Sequence, residues 1–221
     1  MTKNAAIIVA GGSGKRFGSK TPKQFLNLQG VPVFIWSVTA FRKTGLFSQI
    51  ILVAPKERLG KLAPFAKKYS FTLACGGKER SDSVRSGLKA LDKDITIVAI
   101  HDAARPLISG EVIARAVLNA KKHGAVVVSV PARDTIKLTS CEKVVKTIPR
   151  DTVWLAQTPQ VFKKSLIEKA YAKLDRAKVT DDAQVVEKAG FAVHVSMGDY
   201  KNIKITDKQD LKTAQLILKN K

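Results

Sequence analysis

Residues 5–25 read AAIIVAGGSGKRFGSKTPKQF, an apolar run ending in glycines 11, 12, 14 and 18, with Lys15, Arg16, Lys20 and Lys23 set among and just after them. Glycines let backbone N–H groups approach an anion closely, and lysine or arginine supplies the countercharge, so the pattern suits a phosphate. It is not a Walker A loop. A glycine five positions before Gly14 would be residue 9, which is Val9, and Lys15 is followed by Arg16. Nor is it a dinucleotide fingerprint, because Phe17 stands where the third glycine belongs and no acidic residue closes a convincing second strand. A tight strand-to-helix turn with solvated cations accounts for the glycine loop equally well. Lys23, fixed behind Pro22, adds a further cation one turn-rich segment later.

Two more segments could do chemistry. In GGKERSDSV (76–84), Gly76 and Gly77 could admit the edge of a base, with Ser83 as a polar reader; Ser81 or Asp82 capping a helix over 81–91 explains the same residues. In HDAARP (101–106), Asp102 stands where an apolar strand ends. There a carboxylate can hold Mg²⁺, which takes one or two carboxylates and completes its shell with phosphate oxygens and water. The competing reading makes Asp102 a loop or helix cap and His101 a satisfied core residue.

The elements that must position these residues follow from patterning. Apolar runs at 5–10, 50–55, 71–75, 95–100 and 124–130 read as strands covered on both faces. Amphipathic stretches at 32–43, 58–69, 81–91 and 110–123 lie between them, which predicts βαβ units and a mostly parallel sheet. Ligands gather at the carboxyl ends of such strands. At 133–150 the pattern changes: TIKLT and KVVKTI flank the polar SCEK, a β-hairpin with little apolar content for a core of its own. A lone hairpin is marginal in water, so it is expected to pack on a second subunit. Helices at 163–174 and 181–190, a strand at 191–197 and a last helix from 207 complete the chain. Thr206 and Gln209 have capping-box spacing there, and Leu211, Ala214 and Leu218 share one face. The expectation is one domain over 1–221 with 133–155 as an extended β-arm.

Composition removes several classes of function. The 221 residues are 45% apolar, enough for one substantial core. Cys75 and Cys141 have neither disulfide-framework nor zinc spacing, which fits a reducing, cytoplasmic setting. The first apolar run is too short for a signal peptide, and no stretch approaches the ~20 apolar residues of a membrane span, so no membrane partner is expected. The net charge of +21 invites a nucleic-acid partner, but residues 1–110 carry +12 and residues 111–221 carry +9. Spread evenly and without interleaved aromatics, the charge reads as a solvated surface, and no nucleic acid is expected as partner. An anionic small-molecule substrate fits the charge equally well.

The segments AGGSGKRFG…PKQF, GGKERSDSV, HDAARP, ARDTIK, VWLAQTPQVF, TDDA and NIKIT occur in order from residue 10 to residue 206. Together they resemble the cytidylyltransferases that act on polyol phosphates, over nearly the whole chain. The resemblance implies an α/β, Rossmann-like nucleotidyltransferase fold with a mostly parallel central sheet and a protruding β-hairpin dimerisation arm. It implies CTP and a polyol phosphate as substrates, Mg²⁺ or another divalent cation as cofactor, and a homodimer. In the implied reaction a substrate phosphate oxygen attacks the α-phosphorus of CTP and pyrophosphate leaves. The difficulty is electrostatic, since two like charges ~4 Å apart repel by about 4 kcal/mol at an effective dielectric of ~20.

By the same resemblance Arg16, Lys23 and Lys204 are the catalytic cations, and Ala10, Gly11, Gly12, Gly14, Gly77 and Ser83 hold CTP. Asp102, Ala103, Arg105, Thr135, Arg150, Thr158, Thr180 and Lys204 are implied on the acceptor side, with Asp102 also near the metal, directly or through water, and Arg150 reaching the partner's site. Propensity explains two threonines without function: Thr180 as a helix N-cap and Thr135 as a strand residue. The chain departs from the better-known members at Lys78, where aspartate is common, and at Asp182, where glutamate is. Ribitol 5-phosphate is the rival acceptor. Ala103 and Ala104, where that group tends to have Ser-Val, and Trp154 before QTPQ favour 2-C-methyl-D-erythritol 4-phosphate, and with it the non-mevalonate route to isoprenoids.

Overall fold

The computed structural model describes residues 3–12, 17, 21–174 and 179–219. Its centre is a seven-stranded sheet built from β1 (Lys3–Val9), β4 (Gln49–Ala54), β5 (Thr72–Cys75), β6 (Ile95–Asp102), β7 (Ala125–Pro131), β10 (Trp154–Lys163) and β11 (His194–Met197), in the order β11-β7-β10-β6-β1-β4-β5. A short ribbon of β2 (Asn27–Leu28) and β3 (Val31–Pro32) precedes the first long helix. Strand β1 lies between β6 and β4 in parallel register, with Val9 opposite both Asp102 and Val53. Only β10 runs antiparallel to its neighbours in this sheet.

Helices α1 (Val33–Lys43), α2 (Leu59–Tyr69) and α4 (Gly110–His123) cover one face, where Phe34, Phe41 and Ile113 pack on Ile8, Leu52 and Ala99. Helices α3 (Arg80–Lys89), α5 (Lys164–Lys173) and α6 (Asp182–Lys188) cover the other around Ile7, Val98 and Phe162. Helix α3 lies so close to β1 that a Cβ on Gly87 would stand 2.6 Å from Ile7 Cγ2; glycine is what the contact allows. A third cluster of Phe17, Leu28, Leu107 and Ile205 seats α7 (Lys208–Lys219).

Three local expectations are corrected. Helix α3 is capped by neither Ser81 nor Asp82 alone but by a reciprocal box, in which Glu79 is the N-cap and Asp82 accepts from the Glu79 N–H at 3.1 Å. Helix α7 starts one residue later than Thr206/Gln209 spacing predicts. Asp207 Oδ1 accepts from the Asp210 N–H at 2.9 Å, and Asp210 answers, because a carboxylate offers more acceptor capacity there than Gln209. Strand β10 begins inside the expected arm, at Trp154, and runs on through a segment for which no element is predicted, carrying Pro159, a residue rare in central strands. The sheet accommodates it by a register shift between Ala156 and Gln160, with the Thr158–Pro159 bond cis.

The hairpin forms from β8 (Ile136–Ser140) and β9 (Lys143–Ile148), a separate two-stranded sheet joined through Cys141 and Glu142, both at positive φ as a two-residue turn demands. It is shorter than the expected arm: Trp154 and Leu155 already pair with Pro131 and Val130 in the central sheet.

Candidate active site

Strands β1 and β6 end side by side, and the loops leaving them open a cleft of about 450 Å³. Gly11, Gly12, Lys23, Gly77, Ser83, Asp102 and Lys204 line it, so seven of the expected residues come together from both ends of the chain. Arg16 and Gly14 lie outside the described residues.

Each wall has a local cause. Lys23 opens a 3₁₀ turn behind Pro22, and the next residue fastens that turn to the glycine loop: Gln24 Nε2 donates to Ala10 O at 2.7 Å and to Gly12 O at 2.9 Å. On the opposite wall, Ser83 Oγ accepts from the Gly77 N–H and donates to Glu79 O, both at 3.2 Å. Its hydroxyl is thus engaged in the turn that shapes the wall, with Gly11 and Gly76 packed against it. Gly77 has no room for a side chain, since a Cβ there would meet Asp82 Cβ at 2.2 Å.

Lys204 arrives from a segment without regular structure that is tied down at both sides. The Ile205 N–H donates to Ala104 O at 2.8 Å, and the buried Asn202 donates to Gln157 Oε1 and Thr158 O at 3.0 and 2.9 Å. Lys204 Nζ then lies 2.6 Å from Asp102 Oδ2, while Arg80 Nε lies 3.3 Å from Asp102 Oδ1. Burial alone would raise the Asp102 carboxyl; the charges of Arg80 and Lys204 outweigh it and hold the group well below the usual carboxylate range. A carboxylate has about four lone-pair sites, so both contacts leave capacity. Among the described residues no cluster of three or more His, Cys, Asp or Glu could hold a metal alone. The ionised Asp102, with Glu79 on the facing wall engaged as the N-cap of α3, fits a hard ion that brings phosphate oxygens with it.

The remaining expected residues lie off the lining of this cleft. Ala10 and Ala103 are buried; the Ala103 N–H donates to Val9 O at 3.0 Å and its carbonyl accepts from Ser37 Oγ at 3.2 Å. Thr158, expected to meet the acceptor, is buried with its hydroxyl accepting from the Asp102 N–H at 3.1 Å and lying 3.0 Å from His101 Nδ1. It holds Asp102 from beneath. Arg105 Nη1 donates to Asn202 O at 2.7 Å, and its Nε is buried without a hydrogen-bond partner among the described residues. Thr135 and Thr180 are exposed, Thr180 against Gln184, and Arg150 donates to Arg133 O at 3.0 Å at the base of the hairpin.

Sequence reasoning missed Arg80, Gln24 and Asn202 and gave His101 little weight. His101 Nε2 donates to Arg105 O at 3.1 Å, so Nδ1 accepts from Thr158; burial pushes the imidazole down to about 4 and keeps it neutral. No local pattern marks these side chains, because their partners lie 12 to 102 residues away, apart from the Arg105 carbonyl four residues beyond His101.

Glycine loops and cations gathered at the carboxyl ends of parallel strands, with Asp102 at a strand end among them and Glu79 on the facing wall, are the arrangement of a nucleotidyltransferase. A family model described as 2-C-methyl-D-erythritol 4-phosphate cytidylyltransferase matches residues 4–220. A protein of that description from Endomicrobium trichonymphae is 47% identical over 219 residues, covering 99% of this chain and 100% of its own. The crystal structure of 4-diphosphocytidyl-2C-methyl-D-erythritol synthase from Anaerococcus prevotii superimposes with a TM-score of 0.87 at 32% identity, covering 99% of each chain. That of 2-C-methyl-D-erythritol 4-phosphate cytidylyltransferase from Thermus thermophilus gives 0.82 at 29% identity, covering 96% of this chain and 98% of its own. The chain belongs to the 2-C-methyl-D-erythritol 4-phosphate cytidylyltransferase family, enzymes of the non-mevalonate route to isoprenoids.

Proposed function

We propose that this chain transfers the cytidylyl group of CTP to 2-C-methyl-D-erythritol 4-phosphate. An oxygen of the acceptor phosphate forms a bond to the α-phosphorus, the bond to the β-phosphate oxygen breaks, and 4-diphosphocytidyl-2-C-methyl-D-erythritol and pyrophosphate result. No nucleophilic side chain is needed. The work is to bring like charges together and to neutralise the charge that builds on phosphorus and leaving group.

The observation that carries the reading is the contact of Lys204 with Asp102, 102 residues apart in sequence, at the cleft formed by the glycine loop and Lys23. Lys23 and Lys204 face the triphosphate and the entering phosphate, and Arg16 is assigned the same role by the family resemblance alone. Asp102 would hold Mg²⁺, which would supply neutralisation of the phosphate charge there. The Gly77 loop takes the nucleoside. Arg105 and Thr180 serve the acceptor, with Arg150 and Thr135 supplied by the arm of a second subunit. The arm supports a homodimer because Leu138, Val144 and Val145 are 47%, 59% and 59% exposed on a ribbon with no core beneath it. With no described helix long and apolar enough to cross a membrane, and two free cysteines, we place the enzyme in the cytoplasm.

The test is ³¹P NMR of the chain with CTP, Mg²⁺ and 2-C-methyl-D-erythritol 4-phosphate. Paired diphosphate resonances of a cytidine diphosphate alcohol, with equimolar pyrophosphate, are expected; an unchanged spectrum contradicts the reading.

A further inference from the structure

Arg80 has no part in the mechanism above, yet it joins two carboxylates of different standing. Its Nε reaches Asp102 Oδ1 at 3.3 Å in the cleft, and its Nη2 reaches Asp182 Oδ2 at 2.8 Å in the core. Asp182 has no exposed side chain; its Oδ2 meets Arg80 as an ion pair and has no hydrogen-bond partner among the described residues, while its other polar groups are held. Its Oδ1 accepts from Tyr171 Oη at 2.7 Å, and its N–H and that of Ala183 donate to Gln160 Oε1 at 2.9 and 2.8 Å. Gln160 is held in turn by Asp181 Oδ2, the N-cap of α6. One end of the guanidinium is thus anchored in a rigid network, and a planar fork held at one end presents its other N–H in a fixed direction. Lys204, the second partner of Asp102, differs: it is 40% exposed on a flexible four-carbon stem.

We infer that Arg80 is a positioning residue, which fixes the Asp102 carboxylate for the triphosphate and its metal ion and ties that position to the start of α6, where Thr180 stands. The inference rests on the proposed function. Two facts separate it from a purely structural ion pair: Arg80 lines the cleft, and it spends its Nε on the one carboxylate that the chemistry uses. A buried pair needs no third partner in a ligand site. Displacement of a reacting group by ~1 Å costs about 100-fold in rate, which sets the expected size of the effect.

Arg80→Met alone leaves Asp182 buried without its cation, so a fall in Tm is expected and decides little. The informative variant is Arg80→Met/Asp182→Asn, in which both charges are gone and the introduced amide oxygen still accepts from Tyr171. Its Tm is expected within a few degrees of wild type, its kcat about 100-fold lower, and its KM for CTP little changed. Arg80→Lys, whose single ammonium cannot span both carboxylates, is expected to recover little of the kcat. A double variant that regains both Tm and kcat overturns the inference, and so does a loss confined to the KM for CTP. A crystal structure of the double variant gives a readout free of turnover: the Asp102 carboxylate is expected to leave its present orientation. An unmoved carboxylate, still 2.6 Å from Lys204 Nζ, overturns the inference even if wild type proves inactive with CTP, an outcome that would sink the proposed function separately.

Discussion

The mouth of β1 and β6 and the β8–β9 ribbon are held in opposite ways. At the mouth, Asp102 has contacts to Lys204, Arg80 and Thr158, and the glycine loop is pinned by a buried glutamine. In the ribbon every side chain except the two end isoleucines, Ile136 and Ile148, is exposed, and Leu138 lies opposite Lys146 with nothing beneath either. The described contacts of the first region all lie within one chain. The second has the form of half an interface, since a two-stranded ribbon stabilises little by itself. The contrast predicts that changes at the mouth act on turnover and folding of the single chain, whereas changes in the ribbon act through association.

The largest effect is expected from Lys204→Met or Lys23→Ala. Removing one preorganised charge from a transition state costs about 10²–10³-fold in kcat, and steady-state pyrophosphate release at saturating CTP and acceptor measures it. Turnover near wild type for both would detach the cleft from the chemistry.

The next effect is on stability against pH. The folded His101 imidazole titrates at about 4 and the unfolded one at 6.5, so between those values the unfolded chain binds the extra proton. This contribution is complete above pH 6.5 and is lost as pH falls towards 4, about 3 kcal/mol in total at 1.36 kcal/mol per unit. Urea unfolding at pH 7, 5.5 and 4.5 should show a shallower loss for His101→Gln than for wild type, while arm variants keep the wild-type slope. Equal slopes for His101→Gln and wild type would contradict the buried neutral imidazole.

Gln24→Glu is isosteric but sets a carboxylate oxygen against the Ala10 and Gly12 carbonyls, with an expected loss of about 2 kcal/mol in denaturant unfolding at pH 7. A midpoint unchanged from wild type would show that the amide clamp is not formed. The smallest change in folding stability, within about 0.5 kcal/mol, is expected for Val144→Lys/Val145→Lys, both sites being exposed. Sedimentation is nevertheless expected to show that variant as a monomer at concentrations where wild type is expected to sediment as a dimer, with specific activity below wild type. A fully active monomer would make the ribbon dispensable and remove Arg150 and Thr135 from the site.

Much of the fold was readable because it rests on local pattern. Five apolar runs became strands of the central sheet, and the amphipathic stretches between them became helices. Strand β10 was not, because Pro159 and the polar Gln157, Thr158 and Gln160 mask a strand whose burial is decided by β6 and β7 on either side. The site divides in the same way. Gly11, Lys23, Gly77 and Asp102 announce themselves by residue type beside a strand end. Arg80 and His101 act through partners that only the fold brings near, and Thr158, which only the resemblance singles out, has contacts with His101 and Asp102 that no local pattern announces.

This cationic cleft is expected to move the cytidylyl group of CTP onto 2-C-methyl-D-erythritol 4-phosphate. The most direct test is pyrophosphate release with Mg²⁺, pairing CTP, UTP, ATP and GTP in turn with 2-C-methyl-D-erythritol 4-phosphate and with ribitol 5-phosphate. Release with CTP and 2-C-methyl-D-erythritol 4-phosphate, and little with any other pairing, is the expected result. Release with ribitol 5-phosphate alone, or silence in every pairing, would contradict it.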